Sequence, residues 1–263
     1  MELTYNAPAY RRTATHIYLL PHPVLRGMVA HYTLCLTSPE GAEHGDLLTL
    51  VPDASGCLVF ELSPGGLTGQ LFGPSTRLTT VQNDLGLCPF RFFVECPPGG
   101  LYGLTGLPLW ELADRVFPLS DTAPELERAV SDAFRAAESL PAFVRAVDSL
   151  LLARPRFENP AGPMLRALSA GESPAGLGWS PRHLSRLLRQ GAGMGAKSFL
   201  RVTRVNQAVR RLSAGPVPLT FLAQELGYYD QSHFIHDFSS VMGLSPGAYA
   251  AHMADFYKEP LKL

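Results

Sequence analysis

The sequence predicts an α+β chain in three parts: a small β-sandwich or barrel, a helical connector, and an all-α part containing two helix-turn-helix units. Three observations predict it. Between residues 29 and 96 the apolar runs are short and broken by Gly and Pro, as in small all-β folds. From residue 122 the apolar spacing changes to that of amphipathic helices. Beyond residue 163 the chain repeats itself at an offset of 50. With 263 residues, 46% apolar and 17% charged, the chain is long enough for two domains and apolar enough to bury a core.

Strand formers are concentrated at 28–36, 46–51, 56–62, 77–81 and 90–95, separated by turn clusters such as Ser63-Pro64-Gly65-Gly66 and Asn83-Asp84-Leu85-Gly86. Residues 99–114 read as short helical turns, with Glu111 and Leu112 near the end. Cys35, Cys57, Cys88 and Cys96 show no C-x-x-C spacing and read as reduced, core-filling thiols. Two helices follow: Leu126, Val130, Ala133, Phe134 and Ala137 share one face, and Leu140, Phe143, Val144, Val147, Leu150 and Leu151 another. Those faces must be buried, either on the β part or in a dimer contact. Residues 155–163, with Asn159-Pro160-Ala161-Gly162, read as a linker.

The net charge of −1 conceals an asymmetry. Residues 1–163 carry −6 and residues 164–263 carry +5, which points the second half at a polyanion. No apolar run approaches the roughly 18 residues of a membrane span. The N-terminus lacks a basic segment followed by an apolar one, so the expected location is cytoplasmic.

In the repeat, Leu184 matches Phe234, Leu188 matches Phe238, Gly193-Met194 matches Gly243-Leu244, and Phe199 matches Tyr249. In the second copy Leu222, Ala223 and Leu226 give a helix face, Gly227 a helix stop, and Asp230 an N-cap for a helix buried through Phe234 and Phe238. In the first copy Ser180 caps a helix with Pro181 at its first position and Leu184, Leu187 and Leu188 inside. Between them, Phe199, Val202, Val205, Val209 and Leu212 mark one long helix.

Burying those stripes turns Arg182, Ser185, Arg186 and Arg189 outward in one unit, and Gln231, Ser232, Ile235 and His236 in the other. Arg can donate twice to guanine, Gln can bridge adenine, and an apolar side chain can touch a thymine methyl. Two such helices joined by a rigid one suit successive major grooves about 34 Å apart. His183 completes the candidate set for duplex DNA. Arg201, Arg204, Arg210 and Arg211 on the joining helix are either phosphate contacts or a solvated face. His233 lies at a helix edge, and its H-x-x-H spacing with His236 lacks further ligands for a metal.

The run from Leu222 to Phe234, Leu-Ala-Gln-Glu-Leu-Gly-Tyr-Tyr-Asp-Gln-Ser-His-Phe, continuing to Gly243-Leu244-Ser245-Pro246-Gly247-Ala248-Tyr249, resembles the C-terminal signature of the AraC/XylS transcription regulators. Gly178-Trp179-Ser180-Pro181-Arg182-His183-Leu184-Ser185-Arg186 resembles that family's first recognition helix. More loosely, Val51-Pro52-Asp53, Gly56-Cys57-Leu58-Val59-Phe60 and the stretch from Pro97 to Asp114 are similar to the cupin-like N-terminal domain of one subgroup. The resemblance implies a cupin-like sensor domain over 1–118, a helical connector and dimerisation surface over 119–157, and a DNA-binding domain over 158–263. It implies promoter DNA, a small-molecule effector, RNA polymerase and a second copy of the chain as partners. No cofactor, metal or catalytic residue is implied.

Three departures from the family pattern stand out. Pro174 and Gly176 break the segment that should scaffold the first unit. His236 stands where many members carry Arg or Lys, with Asp237 beside it. The cupin metal pattern is absent: His16, His22, His31 and His44 are scattered, and all but His31 lie in loop-like sequence. Two rival readings are a barrel enzyme, for which Asp53 and Glu61 lack a base or nucleophile nearby, and an interaction protein with decayed helix-turn-helix units.

Overall fold

The computed structural model describes residues 11–13, 16–35, 47–82, 88, 90–169, 178–252 and 256–257. The described residues of the N-terminal half hold nine strands: β1 (Arg11–Arg12), β2 (His16–Leu19), β3 (His31–Cys35), β4 (Leu47–Leu50), β5 (Cys57–Ser63), β6 (Gly66–Phe72), β7 (Thr79–Gln82), β8 (Arg91–Glu95) and β9 (Val116–Pro118). Seven form an antiparallel sheet ordered β1-β2-β3-β8-β5-β6-β9. The second sheet is ordered β10-β4-β7, where β10 (Phe256–Tyr257) lies parallel to β4, so the end of the chain pairs with its N-terminal half.

Alternation assigns the two faces of the larger sheet. Ile17, Leu19, Tyr32, Leu34, Leu58, Phe60, Phe92 and Val94 form one apolar core. Their neighbours Tyr18, His31, Thr33, Cys57, Val59 and Glu95 lie on the opposite face and are also buried. Register aligns His31, Glu95 and Cys57 across β3, β8 and β5. The hairpin β5–β6 turns through Pro64-Gly65, with Ser63 opposite Gly66. β6 was not expected from sequence, because two glycines dilute its strand formers. Gly69 is needed there, since a Cβ would come within 2.7 Å of Leu119. His16, expected in a loop, opens β2, where the strand pairing His16 with Cys35 draws it in.

Helices α1 (Gly100–Thr105), α2 (Leu109–Leu112) and α3 (Leu119–Thr122) surround β9. The two expected amphipathic helices are α4 (Pro124–Ala136) and α5 (Leu140–Ala153). Leu126, Val130, Leu140, Phe143, Val147 and Leu151 join the core of the sheet, and Phe143 meets Phe92 at 5.0 Å between ring centres. The inner faces of both helices are thus buried within the chain.

The expected linker is a joint. The Asn159 amide donates to the carbonyls of Gly99 (2.9 Å) and Gly191 (2.8 Å), tying α1's start to the C-terminal helices. Then come α6 (Gly162–Ser169), α7 (Pro181–Ala192), α8 (Ala196–Ala214), α9 (Leu219–Glu225), α10 (Gln231–Met242) and α11 (Pro246–Ala251). Two small cores hold them. Leu184, Leu188, Ala192, Phe199 and Val202 cluster with Met164, Leu165 and Ala54; Phe234, Phe238, Tyr249, Leu222 and Val209 cluster with Val51 and Leu78 packed against them. The N-terminal half therefore contributes to both. The broken scaffold segment around Pro174 and Gly176 lies outside the described residues.

Candidate nucleic-acid interface

The repeat in sequence is a repeat in space. Ser180 caps α7 by accepting from the His183 N–H, and Asp230 caps α10 by accepting from the His233 N–H at 2.7 Å. Each helix ends on a left-handed glycine, Gly193 at φ 77° and Gly243 at φ 67°, whose N–H returns to the carbonyl four residues back. Each next helix then starts with its matched aromatic, Phe199 or Tyr249, inside. Leu184, Leu188, Phe234 and Phe238 are buried, which fixes what faces outward.

On α7, Arg182, Arg186 and Arg189 are exposed, and Ser185 is half-buried. His183 is half-buried between the Trp179 ring, edge-on at 5.5 Å, and the Arg186 guanidinium at 3.2 Å, so it buttresses Arg186. On α10, Ser232 and His236 are exposed, and Gln231 is half-buried. Ile235, expected outside, is half-buried against the core of its own unit. The Thr220 hydroxyl donates to the Gln231 carboxamide oxygen, which holds that side chain at the start of α10.

Three of the four arginines of α8 are engaged within the chain, and Arg210 and Arg211 are exposed, as on a solvated face. Arg201 pairs with Asp237 at 3.1 Å. Arg211 forks onto Glu225 with three contacts of 3.0–3.1 Å. Arg204 lies over the Tyr228 ring, 4.8 Å from its centre. Burial pushes the Tyr228 phenol up to about 12 despite Arg204. Asp237 points inward to Arg201 and is only 8% exposed, so the negative charge beside His236 is already matched. Packing of α8 on α10 does this, and the sequence could not show it.

Three candidate contacts were missed. Tyr229, in the turn before α10, is 94% exposed. Thr220 sits in the first turn of α9, beside Gln231. Trp110 comes from the other half: with Pro108 it lines a cleft of about 950 Å³ that it shares with Arg182, Arg186 and Arg189 of α7. A turn position next to an N-cap is a signal for Tyr229; no local signal exists for Trp110. Among the described residues, no group of three His, Cys, Asp or Glu is placed to hold a metal, and no helix is long and apolar enough to cross a membrane.

Residues 175–252 match the family model described as a helix-turn-helix domain. The transcriptional regulator GlxA of Rhizobium meliloti (strain 1021) is 34% identical over 71 residues, which cover 27% of this chain and 22% of that protein. Among solved structures, a ToxT variant in its apo form from Vibrio cholerae strain SCE256 has a TM-score of 0.41 at 9% identity, covering 84% of this chain and 97% of that one. Wild-type ToxT of the same strain, bound to an unsaturated fatty acid, has a TM-score of 0.40 at 10% identity, covering 95% and 99%.

Proposed function

From the match of residues 175–252 to a helix-turn-helix domain, we propose that the chain is a sequence-specific DNA-binding transcription regulator of the AraC/XylS kind. In this reading α7 and α10 enter two successive major grooves of promoter DNA, and the N-terminal half receives the controlling signal. One observation carries it. The two units share caps, left-handed stops and buried stripes, and present Arg182, Arg186 and Arg189 on one outer face and Gln231, Ser232 and His236 on the other. Guanidiniums suit guanine edges or phosphates, and a carboxamide suits adenine. Ser185, His183 and Ile235 support these contacts from half-buried positions.

The assignment of 1–118 as sensor, 119–157 as connector and 158–263 as DNA-binding part belongs to this proposal. So does a cytoplasmic location. For the sensor, the polar buried face of the larger sheet around His31, Thr33 and Glu95 is the place where a small effector finds hydrogen-bonding chemistry. A homodimer and a contact with RNA polymerase complete the reading. Because the inner faces of α4 and α5 are occupied by the sheet, such a dimer uses their outer faces.

Footprinting on the DNA upstream of the chain's own gene tests the reading. A protected site spanning two successive turns is expected, with binding that weakens steeply as salt rises, since each neutralised phosphate releases counterions. Arg186→Ala should cost about 1–3 kcal/mol and relax the preference at one base pair, if it reads a base edge. Gln231→Ala should do the same in the other half-site. Binding that ignores salt, or is untouched by both variants, rejects the proposal.

A further inference from the structure

We infer that the N-terminal half supplies part of the DNA interface: one phosphodiester strand runs in the cleft that Trp110 lines together with the outer face of α7. This rests on the reading of α7 as a groove-entering helix. An isolated helix is convex. The outer face of α7 instead forms part of an open cleft, whose lining also takes in Pro108 and Trp110 beside it. A helix seated in a major groove has a sugar-phosphate strand along each flank. A residue that lines an open cleft beside such a helix lies against one of those strands.

The chemistry of the cleft agrees. Arg182, Arg186 and Arg189 line it together with Ser180 and Ser185, and among the described residues no carboxylate does. Among the described residues, neither Arg182 nor Arg189 makes an ion pair. The only acid of α2, Glu111, is exposed but not in the lining. Such a surface attracts a chain of phosphates, and Arg takes phosphate oxygens in pairs.

Trp110 is held in place. Its neighbours Leu109 and Leu112 are buried in the core of the sheet. The Leu109 carbonyl lies so near Gly193, at the end of α7, that a Cβ there would meet it at 2.9 Å. Between two buried leucines, Trp110 is 57% exposed. An anchored, exposed indole carries one N–H donor and no acceptor, and so complements a phosphate oxygen. Such a contact carries no sequence information.

The test uses the full chain and a random-sequence duplex of about 30 base pairs, long enough for two groove contacts about 34 Å apart. Trp110→Ala should weaken binding about five- to tenfold, equally on random and footprinted sequences, and Trp110→Phe, which keeps a ring but lacks the N–H donor, should lose about as much. In a Trp179→Phe background, the duplex should protect the Trp110 fluorescence from iodide. Unchanged binding by Trp110→Ala overturns the inference. Tighter binding overturns it too, and shows that Trp110 keeps the groove off α7. Displacement of the duplex by millimolar benzoate or inorganic phosphate, abolished by Trp110→Ala, identifies a small-anion site instead. If the wild-type chain binds no duplex, or binds one that Arg186→Ala and Gln231→Ala leave untouched, the helix-turn-helix reading falls and takes this inference with it.

Discussion

At the scale of single residues, burial decides which charges are available. His16 is partly buried at the start of β2, and desolvation lowers its pKa below the ordinary 6.5. The unfolded chain therefore binds this proton more readily than the folded one. Stability is highest above the unfolded pKa and falls as pH drops through it, levelling off below the folded pKa. Urea midpoints measured between about pH 7.5 and 5.5 should decline with acid, and His16→Gln should flatten the decline; an unaltered slope assigns the effect elsewhere. Asp237 gives a second case. It neutralises Arg201 in a largely buried pair. Asp237→Asn should lower stability by about 1–3 kcal/mol, since the guanidinium keeps a neutral partner but loses its charge match. A midpoint equal to wild type would show the pair to be idle. The outward set on α7 was legible from spacing alone, because Leu184 and Leu188 leave Arg182, Arg186 and Arg189 one way to face. The Arg201–Asp237 pair was not, because 36 positions separate its members and only the packing of α8 on α10 unites them.

At the scale of elements, the two left-handed stops are chemically alike and differently surrounded. A Cβ at Gly243 meets nothing closer than the Leu78 side chain at 4.0 Å. A Cβ at Gly193 falls 2.6 Å from Pro74 and 2.9 Å from the Leu109 carbonyl. Left-handed backbone costs alanine about 1–2 kcal/mol at either site. At Gly193 the collision with N-terminal backbone adds about 1–3 kcal/mol. Gly193→Ala should therefore be clearly the more destabilising in urea unfolding, and equal losses would mean that the halves do not touch there. The stops themselves were readable, since a glycine followed an apolar stripe in each copy. Their surroundings were not, because Pro74 and Leu109 are distant in sequence. The same holds for the strands: β5 and β8 announced themselves by composition, whereas β6 depends on Gly69 making room for Leu119. The stretch 155–163 looked like a linker because Pro and Gly dominate it, yet the Asn159 amide makes it a joint.

At the scale of the whole molecule, the question is whether the helix-turn-helix part moves as a separate body. Ala54 lies inside the core of the first unit, Val51 and Leu78 pack against that of the second, and β10 pairs with β4. Asn159 bolts Gly99 to Gly191, and the Leu109 carbonyl of α2 abuts Gly193 at the end of α7. Removing the N-terminal half would strip apolar cover from both small cores, which have little to lose. The two halves should thus unfold together. The chain's 2 tryptophans allow a direct check, because Trp110 belongs to one half and Trp179 to the other. Urea unfolding of the Trp179→Phe variant reports the first half, and that of the Trp110→Phe variant the second. With both corrected for the variants' own stabilities by circular dichroism, the fluorescence midpoints should coincide, as a cooperative transition requires. Separate midpoints would mean that the shared contacts are too weak to couple the halves. Under the proposed function, a signal received in the β part would then have to reach α7 and α10 by some route other than these contacts.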